Sequence, residues 1–280
     1  MLQLTSYERM LRYICSSAGA SLTDTKAQKQ MIVNWIMAAS KQIEKFLGRE
    51  LKIAAYTEYF DLSEKQDLYF GVKAYPISTL TDVYIDGDSE FSGAESEIDD
   101  CYTSTNDDAV VLPYDPGITG FKKLRARYTG GLAYHGVQSV FAVSSVAGTW
   151  AVGKFAYGGT SEAVGIVKAA SSTAMTLEML YGIFEAAEVI WQSDTEAAVA
   201  ASGGDYATIS SITRQSLYEQ YPDIVRACEI QVRYYWKHKD DFELSSTQKD
   251  GTNQRNNFDN KSQLTPEAQA LLIPYHRRAV

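Results

Sequence analysis

The sequence predicts an α+β fold, in which a small helical bundle is combined with a β-sheet or hairpin region, an inserted small all-β domain and an extended C-terminal arm. Three observations predict it. Apolar residues recur at helical spacing near both ends of the chain, the period changes to two after the first helices, and a charge-poor stretch punctuated by glycines follows. With 280 residues, 45% of them hydrophobic, the chain can form one large domain or two smaller ones.

Two helices are predicted at the amino terminus. Thr5 or Ser6 can cap the first, which runs to about Ala18 and is followed by Gly19. The second is the best-patterned segment of the chain, and Gly48 stands just past its end as a capping glycine. Its apolar residues recur at alternating steps of four and three: Ile32, Ile36, Ala39, Ile43 and Phe46.

A β region is predicted after these helices, because from Leu51 the apolar period is two. The predicted strands are 51–62, 68–70, 80–85, 109–112 and 121–128. Asp86-Gly87 is typical of a hairpin turn. We therefore predict that residues 1–134 form the N-terminal part of a core domain, helices and β region together.

The next stretch has a different composition. Residues 138–150 carry no charge and are rich in Ser, Val and Ala, and short β-like runs with Gly between them follow at intervals of about ten residues. This spacing is typical of a small barrel or sandwich. The sequence predicts an inserted β module at residues 135–205.

Helical spacing returns near the carboxy terminus. Within a closing segment, 206–244, we predict a helix from Tyr221-Pro222-Asp223 to about Asp241, with Pro222 at its first position. Val225, Cys228, Val232 and Tyr235 mark its buried stripe. Residues 245–280 are predicted as an extended docking arm, because a polar, Asn-rich stretch leads to an apolar segment tipped by arginines.

The end of this arm is predicted to bind a partner protein. The candidate contact residues are Leu264, Ala268, Leu271, Leu272, Ile273, Tyr275, Arg277 and Arg278. The alternative, that the segment folds back onto its own core, stays open at the sequence level.

Charge is distributed unevenly along the chain. The net charge is −9, and no Lys or Arg occurs from Ala74 to Phe121. Nucleic-acid binders need clustered Lys and Arg, so the chain as a whole does not fit that class. The carboxylates of this stretch predict either a solvated loop region or a wall that repels passing DNA. We define the acidic surface as Asp86, Asp88, Glu90, Glu95, Glu97, Asp99 and Asp100.

No catalytic, metal or cofactor site is predicted. Cys15, Cys101 and Cys228 are an odd number and lie far apart, which favours a reducing compartment and neither disulfides nor zinc. The histidines His135, His238 and His276 fall on separate elements. Asp86-Gly-Asp88-Ser-Glu90 has the spacing of the start of a calcium loop but lacks the glycine at the sixth position. The expected role is structural assembly, not catalysis.

The amino terminus has no basic and apolar pattern typical of a signal peptide, and no apolar run approaches the ~20 residues of a membrane span. The sequence therefore predicts a protein made and kept in a cytoplasm-like setting.

Several segments resemble head–tail connector proteins of tailed bacteriophages. They are Ile43-Glu-Lys-Phe-Leu-Gly-Arg-Glu-Leu51, Tyr56-Thr-Glu-Tyr-Phe60, Tyr75-Pro-Ile-Ser-Thr-Leu-Thr-Asp-Val-Tyr84, Tyr221-Pro-Asp-Ile-Val-Arg-Ala-Cys228 and Tyr234-Tyr-Trp236. The resemblance covers 1–134 and 220–244, about 160 residues. The chain departs from the family pattern in the β module near 135–205.

The resemblance implies a structural virion protein of the neck: an adaptor ring, commonly of twelve copies, under the portal vertex of the capsid. The implied partners are the portal protein, other copies of the chain, a stopper or tail-side neck protein and, through the β module, a fibre or collar protein. DNA would pass through non-specifically; no cofactor or membrane is implied. The arm would dock on the portal, and the acidic surface would face the DNA channel or the next ring.

Two other functions are kept as alternatives. The β module could recognise a host glycan or a fibre protein, with Trp150, Tyr157 and Trp191 as stacking residues, although aromatics in a small β module are more often core. A weaker alternative is a wall-degrading enzyme carried in the virion.

Overall fold

The computed structural model describes residues 2–18, 25–63, 68–93, 95–195, 204–238, 247–249, 252–254 and 264–276. The α+β class is confirmed, with several helices and a closed β-barrel. The chain forms two compact units. We call Gly48–Tyr134 the β unit, and Leu2–Leu47 together with His135–His276 the barrel–helix unit. The N-terminal helices are thus grouped with the barrel, not with the β region that follows them in sequence.

Five helices occur in the described residues: α1 (Tyr7–Ala18), α2 (Lys26–Leu47), α3 (Leu217–Gln220), α4 (Pro222–Lys237) and α5 (Pro266–Leu272). The predicted stripe of α2 is buried at Ile32, Ile36 and Ile43, whereas Phe46 is half-buried. Gly48 follows α2 with φ +69°, the left-handed conformation that favours glycine at a helix end. The predicted end of α4 at Asp241 lies outside the described residues.

In the described residues of the β unit there are seven strands: β1 (Ala54–Leu62), β2 (Tyr69–Gly71), β3 (Ile77–Ile85), β4 (Ser96–Glu97), β5 (Tyr102–Thr103), β6 (Ala109–Val111) and β7 (Gly120–Gly130). They form two antiparallel sheets, ordered β1-β7-β3-β4 and β2-β6-β5. The predicted tight turn at Asp86-Gly87 is wrong. Ile85 pairs with Ser96, so residues 86–95 form a long loop.

A buried polar network stabilises the β unit. The Tyr128 hydroxyl donates to Glu58 Oε1, which also accepts the Lys73 N–H at 2.8 Å. The Ala74 N–H donates to the Tyr128 oxygen at 3.1 Å. Burial, and then the bond to Glu58, raise the pKa of Tyr128 far above its usual range. The buried side chains of Glu58 and Tyr128 therefore both have hydrogen-bond partners, which offsets their desolvation.

The barrel contains β8 (Gln138–Ala147), β9 (Phe155–Gly158), β10 (Val164–Ala170), β11 (Ala174–Tyr181), β12 (Val189–Ser193) and β13 (Tyr206–Arg214), in the closed order β10-β11-β8-β13-β12-β9. The predicted module end at residue 205 is therefore too early. β13 pairs with both β8 and β12, so the barrel cannot close without it. Only Ala207 and Ile209 of β13 are buried, which explains why its apolar period was too weak to detect.

Within the predicted C-terminal arm, the described residues 264–276 are folded and not extended. Thr265 caps α5 by accepting the Ala268 N–H at 3.3 Å, and α5 packs against α4. A 3₁₀ turn, Ile273–Tyr275, follows. Upstream, β14 (Thr247–Lys249) and β15 (Thr252–Gln254) pair antiparallel. The rest of the predicted polar stretch lies outside the described residues.

Candidate interaction surfaces

The tail segment, residues 264–276, is folded back onto its own chain. Leu264, Ala268 and Leu272 are buried, since α5 lies on α4. The Thr265 N–H donates to Gln231 Oε1 at 2.8 Å, which ties the start of α5 to α4. An apolar helix face without a partner covers the nearest apolar surface, and here that surface is α4.

The remaining predicted docking residues lie near the tip of the tail segment. Leu271 is half-buried, and Ile273 is 66% exposed. The Tyr275 hydroxyl donates to Asp223 Oδ2 at 3.3 Å, and its ring packs edge-on against Tyr221. Arg277 and Arg278 lie outside the described residues. A partner could therefore reach Ile273, but not the three buried residues, while α5 is docked.

Two residues of the acidic surface have structural roles. The Asp86 carboxylate accepts the Asp88 N–H at 2.9 Å and the Phe91 N–H at 2.6 Å, which holds the start of the 86–95 loop. These N–H groups stabilise the charged form and hold the pKa of Asp86 below its usual value. Both Asp86 oxygens are occupied by backbone donors.

Glu95 holds the other end of this loop. It accepts the Gly93 N–H at 2.7 Å and pairs with Arg125 at 2.8 Å. Backbone N–H groups, its own first, and then the Arg125 guanidinium keep the pKa of Glu95 below its usual value. The other five carboxylates are exposed: Asp88, Glu90, Glu97, Asp99 and Asp100.

A cationic cleft lies in the barrel–helix unit, between α1 and α4. We define it by Tyr13, Arg226, Ile230, Arg233 and Lys237. The Tyr13 ring centre lies 4.2 Å from the Arg226 guanidinium carbon and 5.2 Å from that of Arg233. One side of Tyr13 opens into a space of about 500 Å³ that reaches α5, and the other into about 250 Å³ beside Arg226.

Arg9, which also lines this cleft, has a structural role. Its Nε lies 2.9 Å from Glu229 Oε1, and its Nη1 donates to the carbonyls of Met179 and Leu180 at 3.0 and 2.8 Å. Arg9 thereby connects α1 and α4 to the barrel. Because Glu229 is 5% exposed and also contacts Arg226 at 3.4 Å, its charge is already balanced.

The cleft was not predicted from the sequence. The apolar stripe of α4 was predicted, but Arg226, Arg233 and Lys237 also recur on that helix, at steps of seven and four. Such spacing puts them on one face and could have indicated a basic stripe. Nothing in the sequence indicates that Tyr13 lies against it.

The barrel brings two of the three predicted stacking residues together. Trp191 pairs in register with Tyr157 on β9 and with Tyr206 on β13, and we call these three residues the aromatic row. Their inward-facing neighbours, Ala156, Ile190 and Ala207, are all buried, so the row lies on the outer barrel face. Trp150 instead packs against the barrel core.

Cys101, Cys228 and the three histidines do not form a common site in the described structure, and the side chain of Cys15 is outside what it describes. Burial raises the pKa of the Cys101 thiol to about 11 and that of Cys228 to about 12, so neither is a reactive thiolate near neutral pH. His238 packs on Tyr234 and His276 on Phe46, while His135 is exposed. The described part of the chain holds no group of three residues suited to bind a metal ion.

No protein-family model and no curated protein matches the chain. Among the described residues, no helix is long and apolar enough to cross a membrane.

Proposed function

We propose that the chain is a subunit of a bacteriophage head–tail connector, an adaptor ring that joins the capsid portal to the tail or neck and surrounds the DNA passage. Twelve copies is the number that the family resemblance implies. The ring would assemble in the host cytoplasm and remain in the neck of the virion. Its partners would be the portal protein, other copies of the chain and a stopper or tail-side neck protein.

The observation that carries this proposal is the packing of α2 against α4. These helices hold parts of three of the segments that resemble connector proteins, one on α2 and two on α4, although most of the chain separates the two helices. Trp35 on α2 contacts the Tyr235 and Trp236 rings of α4, with ring centres 6.3 and 6.2 Å away. The Tyr235 hydroxyl also donates to Gln42 at 2.7 Å. The helical parts of the two stretches of resemblance thus pack together in one unit, whereas residues 48–134 of the first stretch form the β unit.

The attachment of the barrel supports the interpretation of the β module as an insertion. The Leu217 N–H donates to the His135 carbonyl at 2.9 Å, and the Tyr218 N–H to the Gly136 carbonyl at 2.8 Å. The chain therefore enters and leaves the barrel at neighbouring points. An inserted domain needs such adjacent ends if the host domain is to keep its fold.

The test is reconstitution with the portal protein of the same phage, followed by negative-stain imaging. We expect a twelve-fold ring on the portal. A well-folded chain that leaves the portal undecorated at high concentration would show that the connector proposal is wrong.

The role of the tail segment is tested in the same assay. Ile273→Asp places a charge at the exposed tip and is expected to weaken portal binding by about tenfold or more. Ile183→Asp is the matched control, because Ile183 is 47% exposed on the barrel. Equal binding by both variants would remove the tail tip from the portal contact.

A second candidate function is recognition of a host glycan or a fibre protein by the barrel. The aromatic row favours it, since three rings in register on an outer face can stack on a sugar chain. The full-length chain would be applied to a glycan array, beside Trp191→Ala and the control Phe121→Ala, an exposed aromatic of the β unit. Glycan binding that only Trp191→Ala abolishes supports this function, and a blank array excludes it for glycans.

A further inference from the structure

The cationic cleft presents positive charge on a chain whose net charge is −9. Arg226 and Lys237 are exposed, and Arg233 is half-buried. In the described residues, Arg233 and Lys237 have no carboxylate within salt-bridge distance, and the contact that Arg233 makes is with the Tyr13 hydroxyl at 3.4 Å. The Arg233 Nε is buried and has no acceptor there. Within the described part of the chain, Arg233 and Lys237 therefore lack an anionic partner, whereas Arg226 contacts Glu229.

We infer that this cleft binds exposed carboxylates of the acidic surface in a second copy of the chain. The inference deepens the ring proposed above and rests on it. The contact joins two different patches, so each copy offers one cleft and one acidic surface. An association of this kind is heterologous, or head to tail, and generates a ring or a filament.

The chemistry of the cleft suits carboxylate side chains. Two guanidinium groups held against the Tyr13 ring have restricted orientations, which lowers the entropy lost when they bind a carboxylate in a two-pronged geometry. Ile230 and Tyr234 give the cleft an apolar wall. Of the described carboxylates, those that line the cleft are Glu229, which already contacts Arg9 and Arg226, and Glu267.

The acidic surface has the complementary properties. Asp88, Glu90, Glu97, Asp99 and Asp100 are exposed, and no Lys or Arg occurs between Ala74 and Phe121 to neutralise them along the chain. Asp86 and Glu95 hold the loop between β3 and β4, so Asp88 and Glu90 belong to a loop anchored at both ends. Glu97 lies in β4, and Asp99 and Asp100 follow soon after it. A pre-ordered loop loses less entropy on binding than a mobile one.

A second copy is favoured over DNA as the occupant. Binding to DNA depends on several phosphate contacts along an extended basic track. Here the cations lie in a short cleft: Arg9, Arg12, Arg226, Arg233 and Lys237. Arg9 is paired with Glu229, and the Glu267 carboxylate also lines the cleft. A few carboxylates from a protein loop match this arrangement better in number and size.

The first test is zero-length cross-linking of the full-length chain without portal. A carbodiimide activates a carboxylate, which then forms an amide with a lysine amine. In an equal mixture of ¹⁴N and ¹⁵N protein, we expect mixed-isotope peptides that join Lys237 to Glu97, Asp99 or Asp100. If Lys237 couples to these carboxylates only within one isotope label, or not at all at high protein concentration, the inference is wrong.

The second test reverses the charges. Arg226→Glu with Arg233→Glu, and Asp99→Lys with Asp100→Lys, should each lower self-association by about tenfold, and mixing the two variants should restore a pairwise contact. Lys52→Glu and Glu185→Lys are exposed controls that should change nothing. If both reversed variants associate like the wild type, or if mixing restores nothing, the inference is wrong.

These outcomes are separable from the connector proposal. A chain that cross-links between copies but never decorates the portal would overturn the connector function and leave the contact standing. If the wild-type chain forms a ring on the portal and the charge-reversed variants form the same ring equally well, the connector function stands and the proposed contact between copies is overturned.

Discussion

The tail segment and the acidic surface differ in what folding does to the residues that the sequence singles out. In the tail segment the most apolar positions, Leu264, Ala268 and Leu272, are buried within the chain. In the acidic surface most carboxylates stay exposed, and only Asp86 and Glu95 are engaged by backbone N–H groups or an arginine. An apolar side chain is stabilised by any apolar surface, including its own chain, whereas a carboxylate leaves water only where donors replace it.

The sharpest test of this contrast compares neighbouring residues of the tail. Leu272→Ala creates a cavity between α5 and α4 and should lower the free energy of unfolding by about 2–4 kcal/mol. Ile273→Ala, at the exposed tip, should change it by less than about 0.5 kcal/mol. Urea denaturation followed by circular dichroism measures both. Equal, small changes would mean that α5 detaches without cost to the core, as a docking arm would.

A smaller, local effect is expected in the acidic surface. Asp86→Asn retains one acceptor oxygen but loses the charge and the second acceptor, so the amides of Asp88 and Phe91 should exchange hydrogen faster. The matched change Asp88→Asn should leave both exchange rates unaltered, because that side chain is exposed. Unchanged exchange at Phe91 in Asp86→Asn would show that the loop does not depend on this carboxylate.

The smallest effect is the response of the same loop to acid. The pKa of Asp86 is lower in the folded chain than its ordinary value of 3.8. The ionised carboxylate therefore stabilises the fold fully above pH 3.8, and this stabilisation is lost as the pH falls through the pKa that Asp86 has in the folded chain. The amide proton shifts of Asp88 and Phe91 should therefore stay constant down to about pH 4 and move only below it. Asp86→Asn should abolish this transition. If the transition persists in the variant, the titrating group is not Asp86.

The elements that sequence analysis predicted well are those with local signals. The stripes of α2 and α4 repeat over several turns, and Gly48 and Pro222 mark their ends. β13 was not predicted, because only Ala207 and Ile209 of this strand are buried and its apolar alternation is therefore short. The barrel boundary therefore depended on pairing with β8 and β12, which no short window of sequence contains.

The candidate surfaces were harder to predict, because they depend on tertiary packing. Tyr13 and Arg233 are 220 residues apart in sequence, and they meet only because α1 packs on α4. The docking of α5 likewise depends on Gln231, a buried polar residue of α4 that accepts the Thr265 N–H. The aromatic row needed the strand register, which places Tyr206 beside Trp191 although the predicted module ended one residue earlier.

The neighbouring ends of the barrel have an evolutionary consequence. Because His135 and Leu217 are joined by a backbone hydrogen bond, a single recombination event that exchanges the segment between them would replace the barrel and preserve the path of the chain through the helices. Arg9 would have to find new acceptors in place of the Met179 and Leu180 carbonyls. Relatives of this chain could thus carry different modules at this position, or a simple turn, on an unchanged helical core.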